Sequence, residues 1–215
     1  MQSDEPKLRA LMLPGQDRLH QDEISQGTAV GDLRLFRATR TRFNHRTGFR
    51  WVAQMMELAE ILAMGVVATL ATDLWQRVLQ ATGFPPANWG LIGRWIAWCL
   101  RGKFVHRSIA ATPSVRGELA IGWAFHYAVG IVYAALYLAI MRIGFDSQPT
   151  LVSAVVFAIV LLVAPWFVTQ PALGLGFMAS RTPKPFAVRA INVSVHAVFG
   201  AGLYVGAVAA RLGGA

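Results

Sequence analysis

Three stretches of the chain, Leu119–Met141, Ser147–Ser180 and Ala190–Ala210, contain no Asp, Glu, Lys or Arg. A helix needs about 20 apolar residues to cross a bilayer core, and each stretch is long enough. A fourth, Met56–Gln76, is apolar apart from Glu57, Glu60 and Asp73. The two glutamates fall in its opening turns, where they reach the interface. The pattern predicts an all-α polytopic membrane protein, a four-helix transmembrane bundle with spans near 56–78, 119–141, 151–170 and 190–210.

The third apolar run is too long for one simple crossing, and Pro165 and Pro171 fall inside it. Proline removes a backbone donor and kinks or breaks a helix. The span is therefore read from Leu151 to Gln170, with Pro171–Ser180 as non-helical backbone or a short re-entrant piece. Such backbone at membrane depth must be covered by protein or line a cavity. In the first loop, Asn88–Lys103 carries Trp89, Trp95 and Trp98 with Arg94 and Arg101. Trp favours the membrane–water boundary, and Arg94 interrupts the apolar run, so this segment reads as an interfacial helix. His106, further along the loop, is expected to face solvent or lipid.

Composition agrees with the pattern. Of 215 residues, 55% are hydrophobic and 14% charged, where a soluble domain carries about 25% charged residues. The net charge of +9 does not point to nucleic acid, because the basic residues flank apolar spans, as membrane topology and anionic-lipid contact require. Cys99 is the sole cysteine, which excludes an intrachain disulfide and a cysteine metal cage.

Residues 1–54 form a distinct basic extension with nine Lys/Arg, six Asp/Glu and no long apolar run. Arg34–Arg50 holds six arginines with interleaved Phe. It reads as a disordered tail or as a surface segment on anionic lipid. Met55 and Met56 stand directly before the first span, so translation starting there is a further expectation. The loops 78–118 and 181–189 carry most of the remaining positive charge, while the opposite side carries Arg142 and Arg211. The positive-inside rule then places those two loops in the cytoplasm and the termini outside. The arginines before the first span oppose that orientation.

Polar side chains inside a membrane are costly and mark candidate sites. Asp73, His126, Gln170, Asn192 and His196 are the candidates, with Glu118, Arg94 and Arg181 as charges just outside. In an up–down bundle all five candidates lie toward the face carrying the two basic loops. Residues four apart share a helix face. The stripes Gly65–Thr69–Asp73, Gly122–His126–Gly130–Ala134 and Asn192–His196–Gly200–Tyr204 are therefore expected to meet, small residues allowing close approach and polar ones bonding across it.

Several readings follow. Asp73 bonded to His126 or His196 is a bundle-holding contact, or part of a proton or substrate relay, since imidazole titrates near neutral pH. Asp73, His126 and His196, with Glu118, are also a legitimate metal-ligand set, although no close-spaced histidine motif accompanies them. No nucleophile elbow or phosphate loop appears, so no catalytic residue and no cofactor is assigned. A small transporter or channel-like protein is the leading function. A non-catalytic membrane subunit or assembly protein of a larger complex is the alternative. A pathway through four short spans calls for a homo-oligomer or a larger membrane complex.

Ordered motifs add a resemblance. They run from Thr72-Asp73-Leu74-Trp75 through Asn88–Trp95, Gly102-Lys103-Phe104 with His106 and Ser108-Ile109, and Gly117-Glu118 with Gly122-Trp123 and His126-Tyr127. Gln170–Phe177, Ala179–Pro183, and His196 with Phe199-Gly200 and Leu203-Tyr204 follow. In this order, over roughly residues 56–209, they resemble a family of small bacterial inner-membrane proteins known as a domain of unknown function. The resemblance implies a four-span protein of the bacterial inner membrane and carries no activity, substrate or catalytic residue.

Overall fold

The computed structural model describes residues 54–85 and 87–213. The expectations for the basic N-terminal extension, including the segment 34–50, lie outside the described residues. Within them the protein is all-α, with four helices long and apolar enough to cross a membrane: α1, Gln54–Ala81; α3, Glu118–Gly144; α4, Leu151–Ala172; and α5, Pro185–Gly213. The first loop carries its own helix, α2, Trp89–Cys99. Among the described residues there are no strands.

The spans are joined through small residues. Lipid is as apolar as Leu, so water exclusion cannot drive helices together in a bilayer; close van der Waals contact and interhelical hydrogen bonds must do so. Along α1 and α3, a Cβ on Gly65 would come within 2.6 Å of the Ile131 Cα, and one on Gly130 would overlap the Thr69 hydroxyl. On α5, Gly202 lies against Ala68 and Gly206 against Met64, while Gly200 lies against Ala154 and Val155 of α4. The Tyr137 hydroxyl closes α3 onto the start of α4 by bonding Ser153 Oγ at 2.7 Å. The helices therefore form a closed ring in which α1 meets α3 and α5, and α4 meets the same two. Tyr137, Met64, Leu138, Leu203 and Thr69 are its largest fully buried side chains.

Local chemistry sets the helix ends and breaks. Thr150 and Ser153 form a capping box that starts α4. Pro165 denies the helix a backbone donor and crowds the Leu161 carbonyl, and α4 breaks there into a turn followed by a π-helical segment, Pro165–Thr169. Pro171 does not end the helix, which runs on through Ala172. Beyond it the chain turns back on itself through Gly174 and Gly176 and a short 3-10 turn at Phe177–Ala179. This non-helical stretch is covered by protein in part: Leu173 is 6% exposed and Ala179 fully buried, while Leu175 and Phe177 are exposed.

What covers it is the first loop. His106 N–H donates to Ala172 O at 2.8 Å and Ile109 N–H to Leu173 O at 3.1 Å. Gly174 has a φ of +89°, and any Cβ there would strike the Arg107 carbonyl. Glycine is needed both for the left-handed turn and for the approach of the two backbones. The expectation that His106 faces solvent or lipid is corrected by this pairing. His106 is only 3% exposed, and its Nδ1 bonds the Thr112 hydroxyl at 3.1 Å. The cause is a backbone-to-backbone contact that leaves no pattern in side-chain hydropathy.

Candidate functional site

Asp73 sits near the end of α1 and faces α3. Its Oδ1 lies 2.9 Å from His126 Nε2, and its Oδ2 accepts from the Tyr127 hydroxyl at 2.9 Å. The small residues Gly65, Thr69 and Gly130 in the turns beneath let the backbones close to this range. Both polar partners are thus consecutive residues of α3. The Asp73 and His126 side chains are 16% and 15% exposed.

Helix α2 supplies the third wall. Asn88 caps it by accepting the Leu91 N–H at 3.2 Å. A Cβ on Gly93 would overlap the Glu118 carbonyl, and one on Gly122 would overlap the Trp89 carbonyl. These two glycines bring α2 into backbone contact with the first turns of α3. Arg94 fixes the arrangement: its Nε and Nη2 make a bidentate pair with Glu118 at 2.8 and 2.7 Å, and its Nη1 donates to Thr112 O at 2.9 Å. The bond to Glu118 raises the Arg94 pKa above its ordinary value, and the guanidinium stays charged. So docked, Trp89 stacks on the His126 imidazole, with ring centres 3.9 Å apart and planes inclined by 27°.

The result is a cleft of about 530 Å³ between α1, the start of α2 and α3. Asp73, Gln76, Arg77, Trp89, Trp123 and Tyr127 line its polar and aromatic part, and Leu70 and Leu74 its apolar part. The volume falls in the range of about 300–1,000 Å³ typical of small-ligand sites. Tyr127, Trp89 and Trp123 were not singled out from sequence as site residues. The usable signal was the four-residue spacing of Trp123 and Tyr127 around His126, together with Gly90 and Gly93, which mark a helix made to dock.

The remaining candidates gather elsewhere. With its amide oriented to suit its neighbours, Asn192 Oδ1 accepts from Gln170 Nε2 at 2.7 Å and from Trp166 Nε1 at 3.1 Å. This group ties α5 to the broken end of α4. His196 Nδ1 bonds the Asn192 backbone carbonyl at 2.9 Å, within its own helix. Among the described residues no hydrogen bond joins His196 or Gln170 to Asp73. Gln170 is 7% exposed, and its Oε1 has no partner among the described residues. Arg181 is exposed in the turn before α5. Glu118 is engaged by Arg94, so Asp73, His126, His196 and Glu118 are not drawn around one point. On the opposite face, Arg142 of α3 bonds both Glu57 and Glu60 of α1, which accounts for the two acids of the first span.

Residues 62–210 match a family described as a protein of unknown function (DUF2938). The chain belongs to this family. Among curated proteins and among solved structures nothing matches it. The family match begins within α1 and ends within α5, so it takes in the cleft, α2 and the Gln170–Asn192 group. It carries no activity. Family and fold together make this an integral, multi-pass membrane protein, and any function must be argued from the geometry.

Proposed function

We propose that the protein is a small transporter or channel-like protein of the bacterial inner membrane, with residues 55–215 as its membrane domain and the Asp73 cleft as its solute site. The observation that carries this reading is the cleft itself. An intramembrane carboxylate bonded to an imidazole and a phenol borders open space rather than being packed over. Intramembrane ionisable groups are expensive to keep and recur along solute and proton pathways. The Asp73–His126 bond suits such a pathway, because a carboxylate and an imidazole in hydrogen-bond contact are a proton-relay pair.

In the ring of spans α1 lies against α3 and α5, and α5 against α4, through Gly and Ala contacts, with Tyr137 joining α3 to α4, so the open volume lies at the side of the bundle. A continuous path therefore calls for a second copy, and the protein acts as a homo-oligomer. The resemblance to inner-membrane proteins and the basic loops 78–118 and 181–189 support that membrane and a cytoplasmic mouth for the cleft.

One observation favours the alternative of a non-catalytic membrane subunit: both Asp73 oxygens already accept hydrogen bonds within the chain, as a bundle-holding contact requires. Asp73→Ala and His126→Ala separate the two. Under the transporter reading, both variants accumulate as folded protein and fail to correct the growth or solute-uptake defect of a strain lacking the gene. Full correction by either variant, or loss of folded protein in both, overturns it.

A further inference from the structure

The cleft combines one negative charge with several aromatic faces. Asp73 is the only acid among the described residues that line it. Trp89 and Trp123 have ring centres 5.7 Å apart at 42°, and Trp123 and Tyr127 are 6.4 Å apart at 36°. These rings come from two helices and are held by the Gly93–Gly122 contact and the Arg94–Glu118 pair. Aromatic faces carry negative electrostatic potential and attract cations within about 6 Å of the ring centre, with tryptophan the strongest. A carboxylate has about four acceptor positions; Tyr127 and His126 take two, which leaves capacity and charge for a ligand.

From this we propose that the cleft binds the ammonium group of a small organic cation with an apolar body. The ammonium lies against Asp73, Trp89, Trp123 and Tyr127. The apolar body lies against Leu70 and Leu74, which are 51% and 66% exposed on the same side of α1. The inference rests on the cleft being the site of function, and it names the ligand chemistry that the transporter reading leaves open.

Arg77 is the opposing feature. It stands one turn beyond Asp73, about 6 Å nearer the loop along the helix axis, and it also lines the cleft. Among the described residues it makes no salt bridge. Its charge weakens the binding of a plain cation and strengthens that of a cation bearing a carboxylate at its outer end. Substitution at Arg77 therefore tells the two sources of an ammonium group apart.

The test is calorimetric titration of the purified full chain with benzyltrimethylammonium, its uncharged carbon isostere neopentylbenzene, and phenylalanine betaine, which adds a carboxylate. The expected result is saturable binding of the ammonium compounds and none of the isostere. Trp123→Leu weakens that binding about five- to ten-fold. Trp123 is 39% exposed, and the elution profile of the variant checks that it keeps its fold. Asp73→Asn, where folded, weakens binding at least ten-fold. Arg77→Gln strengthens the monocation and weakens the betaine. Absence of saturable binding of both ammonium compounds, equal binding of the isostere, or unchanged affinity in folded Trp123→Leu overturns the proposal. Cation binding without a transport phenotype at Asp73 refutes the transporter reading alone. A transport phenotype without cation binding refutes this inference alone.

Discussion

The α1–α2–α3 side and the α4–α5 side of the protein use the same kind of residue to different ends. Each places two polar side chains from different helices in hydrogen-bond contact inside the span region: Asp73 with His126 on one side, Gln170 with Asn192 on the other. The first pair borders a cleft of about 530 Å³. The second is joined by Trp166, and Gln170, 7% exposed, accepts the Leu175 N–H of the turn after Pro171 on its backbone carbonyl. A polar residue within a span is thus an ambiguous sign until its surroundings are known. Interhelical bonds hold helices wherever they form; a site also needs room beside the bond.

The largest effect expected from breaking this contrast is on the packed side. Gly200→Leu puts a side chain into backbone of α4, since even a Cβ comes within 2.6 Å of the Val155 Cα and 2.7 Å of the Ala154 carbonyl. Overpacking of this kind costs about 3 kcal/mol or more, and folded yield in mild detergent should collapse. A wild-type yield would mean that α4 and α5 are not in contact there.

Asn192→Leu comes next. It strips the acceptor from both Gln170 and Trp166, and unfolding in mixed micelles should show a loss of about 2 kcal/mol for two interhelical bonds. Asp73→Asn keeps an acceptor for the Tyr127 hydroxyl and should cost less, about 1 kcal/mol. If Asp73→Asn proved the more damaging of the two, the assignment of site and support would be reversed. The smallest effect belongs to Tyr127→Phe, which loses one hydrogen bond to Asp73 and should lower stability by about 0.6 kcal/mol, the average for such bonds in membranes.

The spans were legible because membrane insertion depends on local composition. Charge-free runs marked α3, α4 and α5, and α1 was readable once its glutamates were placed at the interface, where Arg142 engages them. Helix α2 was legible from its tryptophans and Arg94, yet its docking was not. The Gly93–Gly122 contact joins two positions that no periodicity links. Four-residue spacing puts Asp73 and His126 on the glycine stripes of their helices, but it does not choose between His126 and His196 as the partner of Asp73, and of these two the structure pairs only His126 with it. The grouping of Gln170 with Trp166 and Asn192 depended on the break at Pro165, whose exact turn the sequence leaves open. His106 was misread for a related reason: its burial follows from main-chain bonds to Ala172 and from Thr112, and neither shows in the hydropathy of the loop.

The contrast between an open and a packed polar pair can be measured directly by thiol accessibility. In a Cys99→Ala background, Tyr127→Cys reports on the cleft beside Asp73, and Ala172→Cys, at a position 7% exposed, reports on the covered turn beside Gln170. The rates of reaction with a water-soluble maleimide are compared in folded, reconstituted protein. Labelling at position 127 should be at least about ten-fold faster than at 172. Equal rates, or faster labelling at 172, would contradict the assignment of the cleft as the accessible site.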